Sequence, residues 1–216
     1  MPLTLVLSPE GRGIQVENPA IGGGQGESIK ISGELSREQK GKQMAPLLIR
    51  KFGDPVLRKR AKEVTRVDEK IRKIALQMLE TLKEAGGMGL AANQVGEELR
   101  IIVVDPSRFQ IDVSPFFVIN PTVVNSQGDQ IEEEGCLSVP GTYADVVRPL
   151  EIKVKGLDLN EEVIIIEAKG ILSRVLSHEI DHLNGILFID HLSSIKRSLL
   201  SRKLRKISAS QPSIKT

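Results

Sequence analysis

The 216-residue sequence predicts an α+β fold, a mixed or mostly antiparallel sheet with its helices segregated from it. Three observations predict it. Short β-branched runs recur through the middle of the chain, separated by Asp, Pro, Gly and Asn. Apolar stripes at helical spacing stand before and after these runs. Too few long helices lie between the runs for a regular series of parallel crossovers. With 40% hydrophobic and 27% charged residues, the chain has material for one ordinary domain and a tail.

Residues 1–43 carry Gly22-Gly23-Gly24-Gln25-Gly26, scattered Ser and Glu, and no sustained period, which reads as a disordered extension outside the fold. From Pro46 the texture changes. Ile71, Ile74, Met78 and Leu82 recur at helical spacing behind Thr65 and Asp68, whose separation suits a capping box. The helix so predicted runs for about four turns and ends near Gly86-Gly87. Strands are expected at Ile101–Val104, Phe116–Ile119, Thr122–Val124, Glu151–Lys155 and Val163–Ile166. A second helix opens after Gly170, where Ile171, Leu172, Val175, Leu176, Ile180 and Leu183 form one apolar stripe, and Asn184-Gly185 supplies its C-cap. A third, from about Ser193 to Lys206, carries Lys196, Arg197, Arg202, Lys203, Arg205 and Lys206 and no acidic residue, with Ile195, Leu199 and Leu204 as its apolar stripe. The last ten residues read as disordered. The chain thus divides into an extension over 1–43, a main domain over 44–192, and a basic C-terminal helix and tail over 193–216.

Five Phe, one Tyr and no Trp leave Ile, Val and Leu to build the core and make stacking on nucleic-acid bases unfavourable, so DNA is not an expected partner. A net charge of +2 is too small to imply a polyanion bound by the whole molecule. The single cysteine, Cys136, rules out an intrachain disulfide and fits a reducing compartment. No basic segment precedes the short apolar run at the N-terminus, and no stretch approaches the ~20 apolar residues that span a bilayer. Five glutamates in the first 43 residues argue against a transit peptide, so the expected location is the cytoplasm.

The chemistry centres on His178-Glu179-Ile180-Asp181-His182. On a helix, residues four apart share a face, so His178 and His182 can direct two imidazoles at one ion. Glu179 sits about 100° around the helix, within reach of a water on that ion without being a ligand. The pattern points to a metal-dependent hydrolase; the bland alternative is a chance spacing on a helix surface. A catalytic site needs a third protein ligand and an open position. One peptidase pattern places a third His where Phe188 stands, and the other needs a later Glu where only Asp181 and Asp190 follow Glu179. Both fail, which leaves Cys136. Alone it reads as a small buried hydrophobe; the two failures favour it as the ligand. Iron(II), cobalt(II), nickel(II) and zinc(II) all suit a Cys and two His.

Three segments in order, Gly87-Met88-Gly89-Leu90-Ala91-Ala92-Asn93-Gln94, Glu134-Gly135-Cys136-Leu137-Ser138 and the pentapeptide, resemble the signature motifs of the peptide deformylases. The resemblance runs from about Leu48 through Asn120-Pro121 to about Leu192. It implies sheets packed around a central metal-binding helix, and removal of the formyl group from the N-terminal formylmethionine of new polypeptides. By the same resemblance Cys136, His178 and His182 hold one divalent metal, usually iron in the cell. Glu179 is the general acid/base, Gln94 and the Leu137 N–H bind the oxyanion, and the Gly89 backbone pairs with substrate. Met88, Ile171 and Val175 are candidates for the methionine pocket. Proton transfer by Glu179 and oxyanion stabilisation by two donors also suit amide hydrolysis on chemical grounds.

Gln94 alone would read as part of a Gly-rich turn. Asp181 can orient a ligand histidine, pair with a cation such as Arg148, or lie exposed. Tyr143 stands where many family members carry an arginine that anchors the peptide, and Ser177 where glutamine is frequent. The six cations of the third helix either solvate one face or bind ribosomal RNA, as the resemblance to ribosome-docking deformylases suggests. Two other readings stay open: a metallopeptidase or other amidase, and a non-catalytic metal-binding protein with His191 as a fourth ligand.

Overall fold

The structure, a computed structural model, describes residues 3–7, 14–17, 44–109 and 114–210, the first two segments as backbone only. Its strands are β1 (Leu3–Leu7), β2 (Ile14–Glu17), β3 (Gly89–Ala91), β4 (Ile101–Val104), β5 (Phe116–Cys136), β6 (Val139–Leu157) and β7 (Val163–Lys169), and its helices are α1 (Glu69–Ala85), α2 (Ile171–Leu183) and α3 (Ser194–Ala209). The strands form one seven-stranded sheet in the order β2-β1-β7-β6-β5-β4-β3. Every pairing is antiparallel except β1 with β7. The sheet is therefore mixed, as expected of the α+β class.

Side chains alternate across a strand, and at β4 and early β5 both faces are covered. Ile101, Val103, Phe117 and Ile119 pack with Ile71, Ile74, Met78 and Leu82 of α1. Ile102, Val104, Phe116 and Val118 pack on the opposite face with Leu172, Leu176, Ile180 and Leu183 of α2. That double burial explains why the runs at β4 and early β5 are continuously apolar. A third cluster joins Leu204 and Ile207 of α3 to Leu57, Val139 and Phe188.

Several boundaries differ from the sequence reading. The cap of α1 is Asp68, three residues after Thr65; its carboxylate accepts from the Ile71 N–H at 2.9 Å, and the helix begins at Glu69. The predicted runs at Phe116–Ile119 and Thr122–Val124 are one strand, because a register shift absorbs Asn120-Pro121. Asn120, at φ 52°, is held there by two side-chain hydrogen bonds to the backbone of Val64, both 2.9 Å. From Thr122 to Glu133 β5 is almost wholly exposed, so it carries no apolar alternation, and its pairing with β6 alone defines it. In α3 the stripe turned inward is Leu200, Leu204 and Ile207, while Ile195 and Leu199 are 74% and 80% exposed. The same helix runs on to Ala209, into the stretch read as disordered; residues 211–216 lie outside the described residues. Within the expected extension, residues 3–7 and 14–17 pair with the sheet edge, and the rest of 1–43 also lies outside the described residues.

Gly185 ends α2 at φ 77°, and a Cβ there would stand 2.6 Å from the Arg58 carbonyl oxygen and 2.8 Å from its carbon. Left-handed backbone and backbone contact act together at this site. Gly185→Ala should lower the unfolding free energy by about 3 kcal/mol, read from denaturant midpoints; a change below about 1 kcal/mol would mean that the turn relaxes freely.

Candidate metal centre and cleft

One face of α2 carries His178 and His182 one turn apart, with ring centroids 4.9 Å from each other. The last residues of β5 bring up Cys136, whose Sγ lies 3.1 Å from His182 Nε2. One ligand atom from each of Cys136, His178 and His182 falls within 4.8 Å of the others. Ligand atoms around a tetrahedral zinc or iron stand roughly 3.3–3.8 Å apart, so small side-chain adjustments close this group on a cation. Both imidazoles are buried and Cys136 is half-buried.

His178 is oriented from behind, whereas His182 Nδ1 is buried without a hydrogen-bond partner among the described residues. His178 Nδ1 lies 3.0 Å from Glu134 Oε2, which leaves Nε2 to face the ligand group. Glu134 is two residues before Cys136 on β5, so both side chains leave the same face of the strand. That spacing was visible in the sequence, but it says nothing of what Glu134 would meet. It meets two arginines: Arg148 Nε and Nη2 at 2.8 and 3.1 Å, and Arg174 Nη1 at 2.8 Å. Burial alone would raise the Glu134 pKa; hydrogen bonds from His178 and Arg148 overcome it and hold the carboxyl down to about 2. Arg148 also bonds to Asp181, which accepts from or shares a proton with His191 Nε2 at 2.7 Å. Asp181 therefore pairs with Arg148, one of the roles its sequence position allowed. His191 is engaged with Asp181, and among the described residues the ligand group contains only Cys136, His178 and His182.

Burial works against charge on His178, yet hydrogen bonds with Cys136 and Glu134 lift its pKa well above the ordinary value. A proton on His178 and a cation held by the three groups are alternatives, so metal uptake releases protons. Burial pushes His182 the other way, and a positive His178 adds to that.

The front of the group opens on a cleft of about 610 Å³. Met88, Gly89, Gln94, Leu137, Ile171, Val175 and Glu179 all reach its wall, so every substrate-side residue singled out in the sequence is gathered there. Met88 and Ile171 are 40% and 42% exposed, an apolar lining left for something to cover. Gln94 accepts from the Ala91 N–H at 2.7 Å and donates through Nε2 to Ser138 Oγ at 3.3 Å and Cys136 Sγ at 3.6 Å. Glu179 is buried, and its Oε2 has no hydrogen-bond partner among the described residues. Burial raises its pKa to about 7, opposed by His178 and reinforced by Glu134. Gly89 makes room for it: a Cβ at Gly89 would lie 2.6 Å from Glu179 Oε1. Lys51 also lines the cleft, and the sequence reading passed it over.

With this geometry in view, comparison with known proteins is specific. A family model described as polypeptide deformylase matches residues 46–198. The peptide deformylase of Mesorhizobium japonicum is 45% identical over 163 residues, 75% of this chain and 92% of that protein. Among solved structures, a peptide deformylase from Legionella pneumophila superposes with a TM-score of 0.71 at 41% identity, over 78% of this chain and 100% of that one. The Ehrlichia chaffeensis peptide deformylase in complex with actinonin gives 0.71 at 42% identity, over 76% and 98%.

Removing the charge behind His178 should weaken metal binding without touching a ligand. Glu134→Gln is expected to cut affinity for zinc or cobalt by about 10–100-fold in chelator competition. An affinity within twofold of the parent would show that Glu134 does not orient His178.

Proposed function

This chain belongs to the peptide deformylase family, metal-dependent hydrolases that remove the N-formyl group from nascent peptides, and from that premise we propose how its own residues do so. The observation that carries the proposal is the buried Glu179 carboxylate, with Oε2 unpartnered among the described residues, beside a Cys/His/His group at the floor of an apolar cleft. Cys136, His178 and His182 hold one divalent cation, iron(II) in the cell, and zinc(II), nickel(II) or cobalt(II) suit the same donors. When bound, the cation supplies Lewis acidity that lowers the pKa of water and polarises the formyl carbonyl.

The protein's own groups do the rest. Glu179 Oε2 takes a proton from the attacking water as its oxygen bonds to the formyl carbon. Gln94 Nε2 and the Leu137 N–H donate to the oxyanion, worth roughly 3 kcal/mol per donor in comparable sites. Glu179 then returns the proton to the amine nitrogen as the carbon–nitrogen bond breaks, which yields formate and a free N-terminus. A carboxyl with a pKa near neutrality suits both halves of this transfer; a nearby cation draws it down and His178 stays neutral as a ligand. The Gly89 backbone pairs with the peptide, while Met88, Ile171 and Val175 receive the methionine side chain.

The reaction belongs where nascent chains emerge, which assigns the enzyme to the cytoplasm. No helix among the described residues is long and apolar enough to cross a membrane. Docking on the ribosome through α3 fits the same reading. Lys196, Arg202, Arg205 and Lys206 are exposed, and no ion pair engages them among the described residues. Exposed Ile195 and Leu199 lie on the same helix.

Protein loaded anaerobically with iron or nickel and offered formyl-Met-Ala should release formate, and an unformylated peptide should remain uncut. Glu179→Ala should lower kcat/KM by about 10²–10⁴-fold with the metal retained. Well-metallated protein that leaves the formylated peptide intact would sink the reading. For the ribosome, deletion of α3 would also strip Leu204 and Ile207 from the core, so charge reversal is the cleaner probe. Glu at Lys196, Arg202, Arg205 and Lys206 together should abolish salt-sensitive cosedimentation with ribosomes at unchanged Tm; undiminished cosedimentation would refute docking through α3.

A further inference from the structure

Lys51 stands outside the machinery described so far, yet its position is closely defined. The residues on either side are tied down, Arg50 N–H to the Gln94 carbonyl and Phe52 N–H to the Ser138 carbonyl, each at 2.7 Å. Between these ties the Lys51 side chain enters the cleft, and its Nζ donates to the Leu137 carbonyl oxygen at 2.8 Å. No carboxylate pairs with it among the described residues. The peptide group that accepts from Lys51 is shared: its carbonyl belongs to Leu137 and its N–H to Ser138. That N–H points at Cys136 Sγ, with nitrogen 3.4 Å from sulfur.

An ammonium on a peptide oxygen draws electron density from the amide nitrogen and makes its N–H a stronger donor, the polarisation that runs along any hydrogen-bonded chain in a low-dielectric site. A stronger donor on a thiolate stabilises the sulfur lone pairs and reduces how much charge the sulfur gives to a metal. We propose that Lys51 is a positioning residue that tunes the Cys136 thiolate through the Leu137–Ser138 peptide group. The inference rests on Cys136 being a metal ligand. The relay needs no movement, since Lys51, Leu137, Ser138 and Cys136 are already in line. Lys51 is partly buried; that burial lowers its pKa, and the nearby Cys136 opposes the shift.

Two readouts follow the relay without using turnover. In zinc-loaded, ¹⁵N-labelled protein, Lys51→Met should move the Ser138 amide proton upfield, as a weakened hydrogen bond requires, with smaller changes at Arg50 and Phe52. In cobalt-substituted protein the thiolate-to-cobalt charge-transfer band should move to longer wavelength. Lys51→Arg, which keeps a cation on the Leu137 carbonyl, should hold both signals near the parent values. Absence of a charge-transfer band in the parent protein would mean that Cys136 is not a ligand, and the underlying reading fails. A band present in the parent but unmoved in Lys51→Met, with an unmoved Ser138 resonance, overturns the relay alone. A raised KM with both signals unmoved would assign Lys51 to peptide binding instead, and also overturns it. Loss of folded structure in Lys51→Met shifts the decision to Lys51→Gln, read by the same two signals against Lys51→Arg.

Discussion

A carboxylate taken out of water organises this molecule. Glu134 is 5% exposed, and burying it alone would cost several kcal/mol. Its partners offset that cost and come from separate elements: Arg148 from β6, Arg174 and His178 from α2. Buried ion pairs add little net stability, but breaking one is expensive. Rotating α2 by a single residue would swing Arg174 and His178 away by about 100° and leave the charge uncompensated. The network thereby sets the azimuth of α2 against the sheet. Arg148 carries the same constraint outward to Asp181 and His191.

His178 and Glu179, neighbours on α2, are satisfied to different degrees. Behind His178, its Nδ1 and both Glu134 oxygens have partners, while His182 Nδ1 is buried without one among the described residues. Glu179 lines the cleft, and its Oε2 is buried without a partner among the described residues. Such asymmetry is a cost left standing in the folded state, of the order of 1–3 kcal/mol for one unmade hydrogen bond. It is tolerated where a substrate or water completes the bond, and the rigid rear of the site keeps the front from collapsing onto its own polar groups.

Local pattern and distant packing divide the legibility of this chain. The α2 stripe and the spacing of His178 and His182 obey one helical period, so both were readable. Continuous apolar runs identified β4 and early β5 because each is buried on both faces. The outer part of the β5–β6 pair was not readable, since most of its side chains face water and only partner strands define it. In α3 the 3.6-residue period fits more than one face. Contact with Val139 and Phe188, remote in sequence, selected Leu204 and Ile207 over Ile195 and Leu199.

The sequence by itself determined the class of fold and the pair of imidazoles on one helix face, and its motifs pointed to Cys136 as the third donor. Those features are encoded by residue type and short spacing, which backbone geometry translates directly into position. Only the tertiary structure decided what stands behind and beside that group. Glu134 reaches Arg148 across 14 residues, Arg174 across 40 and His178 across 44, and Lys51 reaches Leu137 across 86. No local period spans such separations; they are set by the register of β5 against β6 and by the seating of α2 on the sheet.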